Sequence, residues 1–370
     1  MLPGGCADRL VSSEVSVARR LRLTVAAVAA LVITPWPAAR AVGPQTAADT
    51  LGRSPGRLFD TAEPIAFTLT SDLGAVAKDR GTQKRVHHAV LSYVGPAGDS
   101  TSFDVQLRTR GHWRLRTCEF PPLKVEFDRE TAKPALFAHQ KSLKLVVQCR
   151  SPRAYANYLL EEYLIYRVYN LLTECSFRVR LARVTYVDAA GKRTPATRYA
   201  FFIEDDDRMA KRCHGHVLEQ QGISQADAGF SQMGLLTVFE YLIGNTDWSV
   251  AALHNIVLVL DSVGVVYPVP YDFDWSGVIS TPYAFPDARL GIRTVRDRLY
   301  RGACRTPADF APLFVRFNAV KDSVYALYRG QPDLEPKRVA QALGYYDEFY
   351  RIINDPRWVN RELIHNCLPG

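Results

Sequence analysis

The period of the apolar residues changes twice along this chain, and nothing else constrains its fold as much. Between residues 64 and 148, short apolar runs at 65–69, 89–94, 103–109, 123–127 and 143–148 are separated by Gly, Pro, Asp and Ser turns, the pattern of successive strands. Then Tyr155, Tyr158, Leu159, Glu162, Tyr163, Tyr166, Tyr169 and Asn170 recur at steps of three and four, which predicts a helix running to about Leu172. Strands resume at 179–187 and 198–203 across a turn-rich link at 188–192. Beyond the acidic connector at 204–207 the pattern becomes helical. Ser231 is placed to cap a helix with Leu235, Leu236, Val238, Phe239, Leu242 and Ile243 on its buried face, and Gly244 to end it. Strands at 256–260 and 265–270 make a small ribbon, and further helices start at Thr306-Pro307 and near Pro336.

The chain has 370 residues, 47% of them hydrophobic, enough to bury one large core or two modest ones. Its net charge of +8 includes a leader with five basic and two acidic side chains in residues 1–41, leaving +5 for the rest. The cations are scattered rather than run together, so nucleic acid is not an expected partner. Arg19, Arg20 and Arg22 precede an apolar run from Leu23 to Ile33, and Ala39-Arg40-Ala41 supplies small residues for cleavage after Ala41. This reads as a signal peptide over 1–41. The run is about half the ~20 residues a bilayer span needs, so no permanent membrane span is expected. A flexible linker is expected over 42–60, and the mature protein should be secreted or periplasmic. Six cysteines remain after cleavage: Cys118, Cys149, Cys175, Cys213, Cys304 and Cys367. They allow up to three disulfides, in any of about 15 pairings, with buried thiols as the alternative.

Three polar segments carry chemistry. Asp247 lies in the loop Gly244-Asn245-Thr246-Asp247-Trp248-Ser249, Asn255 begins the first ribbon strand, and Tyr271-Asp272-Phe273-Asp274-Trp275 follows the second. The ribbon brings Asn255 and Asp272 to one edge. An Asp in a loop, an Asn entering a strand and an Asp leaving its partner have the spacing to converge on one magnesium-bound nucleotide. The layout as a whole predicts an α+β, bilobal, protein-kinase-like fold, with a β-rich N-lobe containing one helix over 61–203 and a mainly helical C-lobe over 204–370.

The chain resembles the CotH kinase family of atypical secreted protein kinases, as a divergent member. The features that carry the resemblance are Arg108-Thr109-Arg110-Gly111, then Pro121-Pro122-Leu123-Lys124-Val125-Glu126-Phe127, the strand ending Tyr199-Ala200-Phe201-Phe202-Ile203-Glu204, and the Asp247, Asn255, Asp272 series. Together they cover roughly residues 100–280. Arg110-Gly111-His112-Trp113 stands where the family commonly has Arg-Gly-Asn-Ser, and Asp247 and Asn255 are farther apart than in ordinary kinases.

The resemblance implies an exported kinase that uses ATP with Mg or Mn and transfers the terminal phosphoryl to a hydroxyl, such as a Ser or Thr of a secreted protein. Asp247 is the candidate to orient or deprotonate the acceptor. Asn255 and Asp272 are the candidate metal ligands, since a hard cation takes oxygen donors, and Asp274 either assists or caps a turn. Lys124 is the candidate phosphate lysine, with Lys144 as its rival. Glu162, or else Glu161, is the partner carboxylate on the helix. No glycine-rich phosphate loop is present, so Arg110, His112, Arg114 and Arg116 are the substitute phosphate donors. Glu204 belongs to the connector expected at the adenine edge. The alternative is a non-catalytic kinase-like surface or binding protein. Cys213-His214-Gly215-His216 is too compact to hold zinc by itself, and no Gly-x-Ser-x-Gly elbow occurs.

Overall fold

Strands in the first half are apolar on alternate residues, and those residues meet in one interior. The computed structural model describes residues 58–95, 98–128 and 136–368. The expected signal peptide, its cleavage point and most of the 42–60 linker lie outside them. The described residues fall within one compact unit, Arg53–Gly370.

Seven strands, β1 (Ile65–Ser71), β2 (His87–Val94), β3 (Ser100–Thr109), β4 (Leu123–Phe127), β5 (Ser142–Val147), β6 (Val179–Asp188) and β7 (Ala196–Ile203), close into a barrel in the order β1-β2-β3-β4-β5-β7-β6. All neighbours are antiparallel except β6 and β1, which run parallel from Ile65 opposite Ala182 to Ser71 opposite Asp188 and seal the barrel. Its interior is filled by side chains, among them Phe67, Phe103, Phe127, Phe137 and Phe202, so it encloses a packed core rather than a channel.

This corrects the expected bilobal kinase-like fold. The N-terminal part is a closed mixed barrel, not a β-rich lobe with a single helix. Two short helices, α1 (Leu73–Lys78) and α2 (Trp113–Thr117), also lie within it. Both are too short to show a helical period. Closure rests on pairing between strands more than a hundred residues apart, which no local pattern encodes.

β7 explains how the barrel joins the rest of the molecule. Ala200 and Phe202 point into the barrel, while Phe201 and Ile203 join a second core outside it. The continuous apolar run is therefore a strand buried on both faces. Against its outer face lies α3 (Arg153–Leu172), whose Tyr166 ring meets Phe201 edge-on at 5.6 Å. Beyond α3 come α4 (Asp206–Arg212), α5 (Phe230–Ile243), α6 (Pro307–Ala319), α7 (Lys321–Arg329), α8 (Pro336–Ile353) and α9 (Pro356–Val359). α5 starts on Gly229 rather than the expected Ser231, and ends at Gly244 in the left-handed conformation, φ 66°. A second sheet of three strands has the order β10 (Val266–Pro270), β9 (Ile256–Asp261), β8 (Gly215–Leu218), one strand more than the expected ribbon.

Three disulfides, Cys118–Cys149, Cys175–Cys213 and Cys304–Cys367, use all six cysteines of the described residues. They fit an extracellular or periplasmic setting. Cys213 is thereby removed as a zinc thiolate. Among the described residues no helix is long and apolar enough to cross a membrane.

Candidate functional site

α3 is buried almost all round, and it carries two adjacent glutamates inward. Each meets a different arginine. Glu161 takes Arg338 of α8, with Nε to Oε2 at 3.0 Å, and Glu162 takes Arg114 of α2 through two bonds of 2.8 and 3.2 Å. A charge in such a place is held only by pairing, because desolvation opposes it strongly. Burial pushes both carboxyls up to about 8 against the pull of their arginines.

Arg114 is the hub of the site. Besides Glu162 it binds Asp272, and its Nε lies 3.5 Å from Asp274. Oxygens of the three acids fall within 4.8 Å of one another. Burial disfavours the guanidinium's charge, but the three carboxylates outweigh it and raise its pKa. Asp274 is pushed up to about 6, chiefly by burial, and accepts from the Tyr283 hydroxyl at 3.0 Å.

The 271–275 loop is fixed from below. Phe273 is fully buried, with its ring 4.7 Å from Tyr166 and 5.6 Å from Phe239. The Asp272 amide donates to the Tyr166 hydroxyl at 2.9 Å. One aromatic anchor therefore sinks between two acids and leaves both at the surface of the core.

Asp247 lies on the loop that Gly244 releases from α5. Its amide donates to Asn245 Oδ1 at 3.0 Å, and Arg301 holds the carbonyls of Thr246 and Trp248. Both oxygens of its carboxylate are engaged. Oδ2 receives Asn255 Nδ2 at 3.1 Å, and Oδ1 meets His254 Nε2 at 2.8 Å, a contact that raises the imidazole's pKa. Asn255 in turn accepts the Tyr271 amide at 3.0 Å on its backbone carbonyl, which ties this group to the loop bearing Asp272. Asn255 and Asp272 both adopt left-handed backbone, φ 55° and 65°. Such geometry in non-glycine residues carries a cost that the surrounding structure must impose.

The structure thus brings together Glu162, Asp272 and Asp274, and, adjoining them, Asp247 and Asn255. It disposes the other candidates differently. Lys124 leaves the apolar face of β4, where it is half exposed and 3.5 Å from Glu126. Its rival Lys144, directly across from it on β5, is nearer the loop, with Nζ 5.2 Å from the centre of the Tyr271 ring and 2.7 Å from Asp206. Arg110 lies beside Tyr271: burial and Asp272 raise that phenol's pKa, and Arg110 opposes them. Glu204 is committed elsewhere, to Arg212 and to the Arg178 amide at 3.1 Å. It braces α4 against β6.

His254 escaped the sequence reading, although it adjoins Asn255 and stands seven residues from Asp247. Tyr166 and Tyr283 also escaped as supports of the two aspartates, since a tyrosine on an apolar helix or in a loop carries no local mark of what its hydroxyl will reach. The carboxylates and the Asn255 amide form an all-oxygen donor set, which fits a hard divalent cation and not a soft one. No model of a known protein family matches the chain, and a search of curated proteins finds no match either.

Proposed function

We propose that this is an exported phosphotransferase that moves the terminal phosphoryl of ATP to a hydroxyl. The observation that carries the reading is the meeting of Glu162, Asp272 and Asp274 around Arg114, next to Asp247 held by Asn255 and His254. The resemblance to the CotH kinases, which rests in part on the same Asp247, Asn255 and Asp272, points to this chemistry too.

Asp272 and Asn255 are the residues that would hold Mg or Mn, with Asp274 in support. The cation, when bound, neutralises phosphate charge and orients the transferred group. Asn255 gives its amide nitrogen to Asp247, which leaves the amide oxygen for the metal. Arg114 is held through both terminal nitrogens by Glu162 and also contacts Asp272 and Asp274, so it fixes the two aspartates in place beside the phosphate site. Asp247 orients the acceptor hydroxyl and receives its proton, a role typically worth about 10²–10⁴ in rate.

The test is transfer from radiolabelled ATP by the disulfide-bonded protein with Mg or Mn, comparing wild type with Asp272→Asn and Asp247→Asn. Expected is incorporation by wild type and a loss of at least about a hundredfold in each variant. Equal incorporation by all three, or none by wild type across protein, peptide and sugar acceptors, refutes the reading. A second reading, a non-catalytic scaffold, is favoured by one observation: Arg114 already contacts all three acids without any cation. It calls for no thermal stabilisation by Mg and ATP together.

A further inference from the structure

Three large aromatic side chains stand outside all three apolar clusters of the described residues, two of them lining one cleft with Asp247. Trp113 of α2, Trp275 and Phe285 meet edge-on or tilted, with ring centres 5.8 Å apart for Trp113–Trp275 and Trp113–Phe285, and 4.8 Å for Trp275–Phe285. Phe285 keeps 54% of its surface exposed. Burying such a ring is worth on the order of 2–3 kcal/mol, so folding favours drawing it inward. A cluster left at the surface offers an apolar platform to another molecule.

Trp275 and Phe285 line a cleft of about 940 Å³ together with Asp247 and His254. That is the size of a small-ligand site. Apart from His254, the ionisable side chains in its wall balance, Asp247 and Asp287 against Arg289 and Arg301, and Asp287 and Arg289 pair with each other. No strand residue lines it, so an extended peptide finds no open ladder there to join. The wall suits a neutral molecule with an apolar face and a rim of hydroxyls. A pyranose ring is such a molecule: its C–H face lies on an aromatic ring, and its hydroxyls donate to carboxylates and accept from imidazole and guanidinium.

We infer that the acceptor is a neutral carbohydrate, seated on the Trp275–Phe285 platform with one hydroxyl at Asp247. The chemical step rests on the phosphotransferase reading, whereas sugar binding does not. In that step the sugar oxygen bonds to the γ-phosphorus as the bond to the β,γ-bridging oxygen breaks. The electron pair leaves with ADP, and the hydroxyl proton passes to the Asp247–His254 pair.

Binding is tested without nucleotide, by saturation-transfer NMR on the disulfide-bonded chain. The probes are glucose, galactose, mannose, N-acetylglucosamine and their β-linked disaccharides, with neutral serine peptides for comparison. Expected is transfer to at least one sugar and an affinity at least tenfold weaker in Phe285→Ala and in Trp275→Leu. Phe285 is exposed, so its truncation leaves folding intact, which an unchanged melting temperature verifies. No transfer to any sugar, equal affinity in wild type and Phe285→Ala, or Phe285-dependent binding of the peptides alone overturns the inference. Sugar binding by a protein that transfers no phosphate supports it and overturns the phosphotransferase reading instead.

Discussion

Arg114 does at residue scale what a bound cation would do: it lets three acids share one small space. Removing it leaves those carboxylates buried and uncompensated, at a cost of about 3–5 kcal/mol when no divalent ion is present. For Arg114→Ala, chemical denaturation should show that loss, and millimolar Mg or Mn should restore part of it; a variant indifferent to both ions contradicts the assignment of this cluster. Glu240 presents the opposite case, an acid with no ion-pair partner in contact. It is buried on α5 and neither of its oxygens has a partner in hydrogen-bonding geometry, although Asn245 and Arg301 are close enough to oppose the shift. Burial pushes its carboxyl up to about 8 from an ordinary 4.5. The folded state therefore holds the proton more tightly than the unfolded one. The cost of ionising it is absent below about pH 4.5, grows as pH rises, and levels off above about pH 8. Glu240→Gln should thus match wild type near pH 4.5 and gain on it toward pH 9, by a few kcal/mol at most, since each tenfold difference in proton affinity is worth ~1.4 kcal/mol. Melting curves at the two pH values check the sign.

At the scale of elements, the site depends on short pieces held by long ones. α2 has five residues, too few to be stable alone, and it ends on Cys118, whose disulfide to Cys149 fastens it just past the end of β5. Replacing both cysteines with serine should lower stability by about 3–4 kcal/mol in the chain-entropy picture. It should also weaken Mg-ATP binding, since Arg114 rides on the freed helix; calorimetry on the folded variant separates the two effects. Gly244 works in the same way for Asp247. It combines left-handed backbone with close approach, and an added Cβ would meet the Tyr345 hydroxyl. Gly244→Ala should cost about 2–4 kcal/mol and depress phosphoryl transfer, since Asp247 rides on the loop it releases. A fully active, equally stable variant would show that the α5 terminus does not position the loop.

For the whole molecule, the loops were legible in sequence and the enclosure was not. Asp247, Asn255, Asp272 and Asp274 stand out because polar residues interrupt apolar elements at their ends, where chemistry has room. Which of Arg110, His112, Arg114 and Arg116 turns inward depends on a five-residue helix with no period to read. Glu161 and Glu162 looked like alternatives because a helix buried all round has no polar face to identify; the fold uses both. Lys124 and Lys144 are cross-strand neighbours, and only the packing of the Tyr271 loop distinguishes them. Barrel closure, the feature that excludes a bilobal kinase architecture, arises from β1 pairing parallel with β6 across the whole first half of the described chain. Hydrophobic alternation says that each strand has an inside, not that the insides form one ring. The central claim, that Asp272 and Asn255, with Asp274 in support, receive a metal-bound nucleotide, is tested most directly by electron paramagnetic resonance of Mn²⁺ titrated into the protein with ATP. Expected is one tightly held Mn²⁺ per chain that requires ATP and disappears in Asp272→Asn; no protein-bound Mn²⁺, or the same binding in that variant, contradicts the claim.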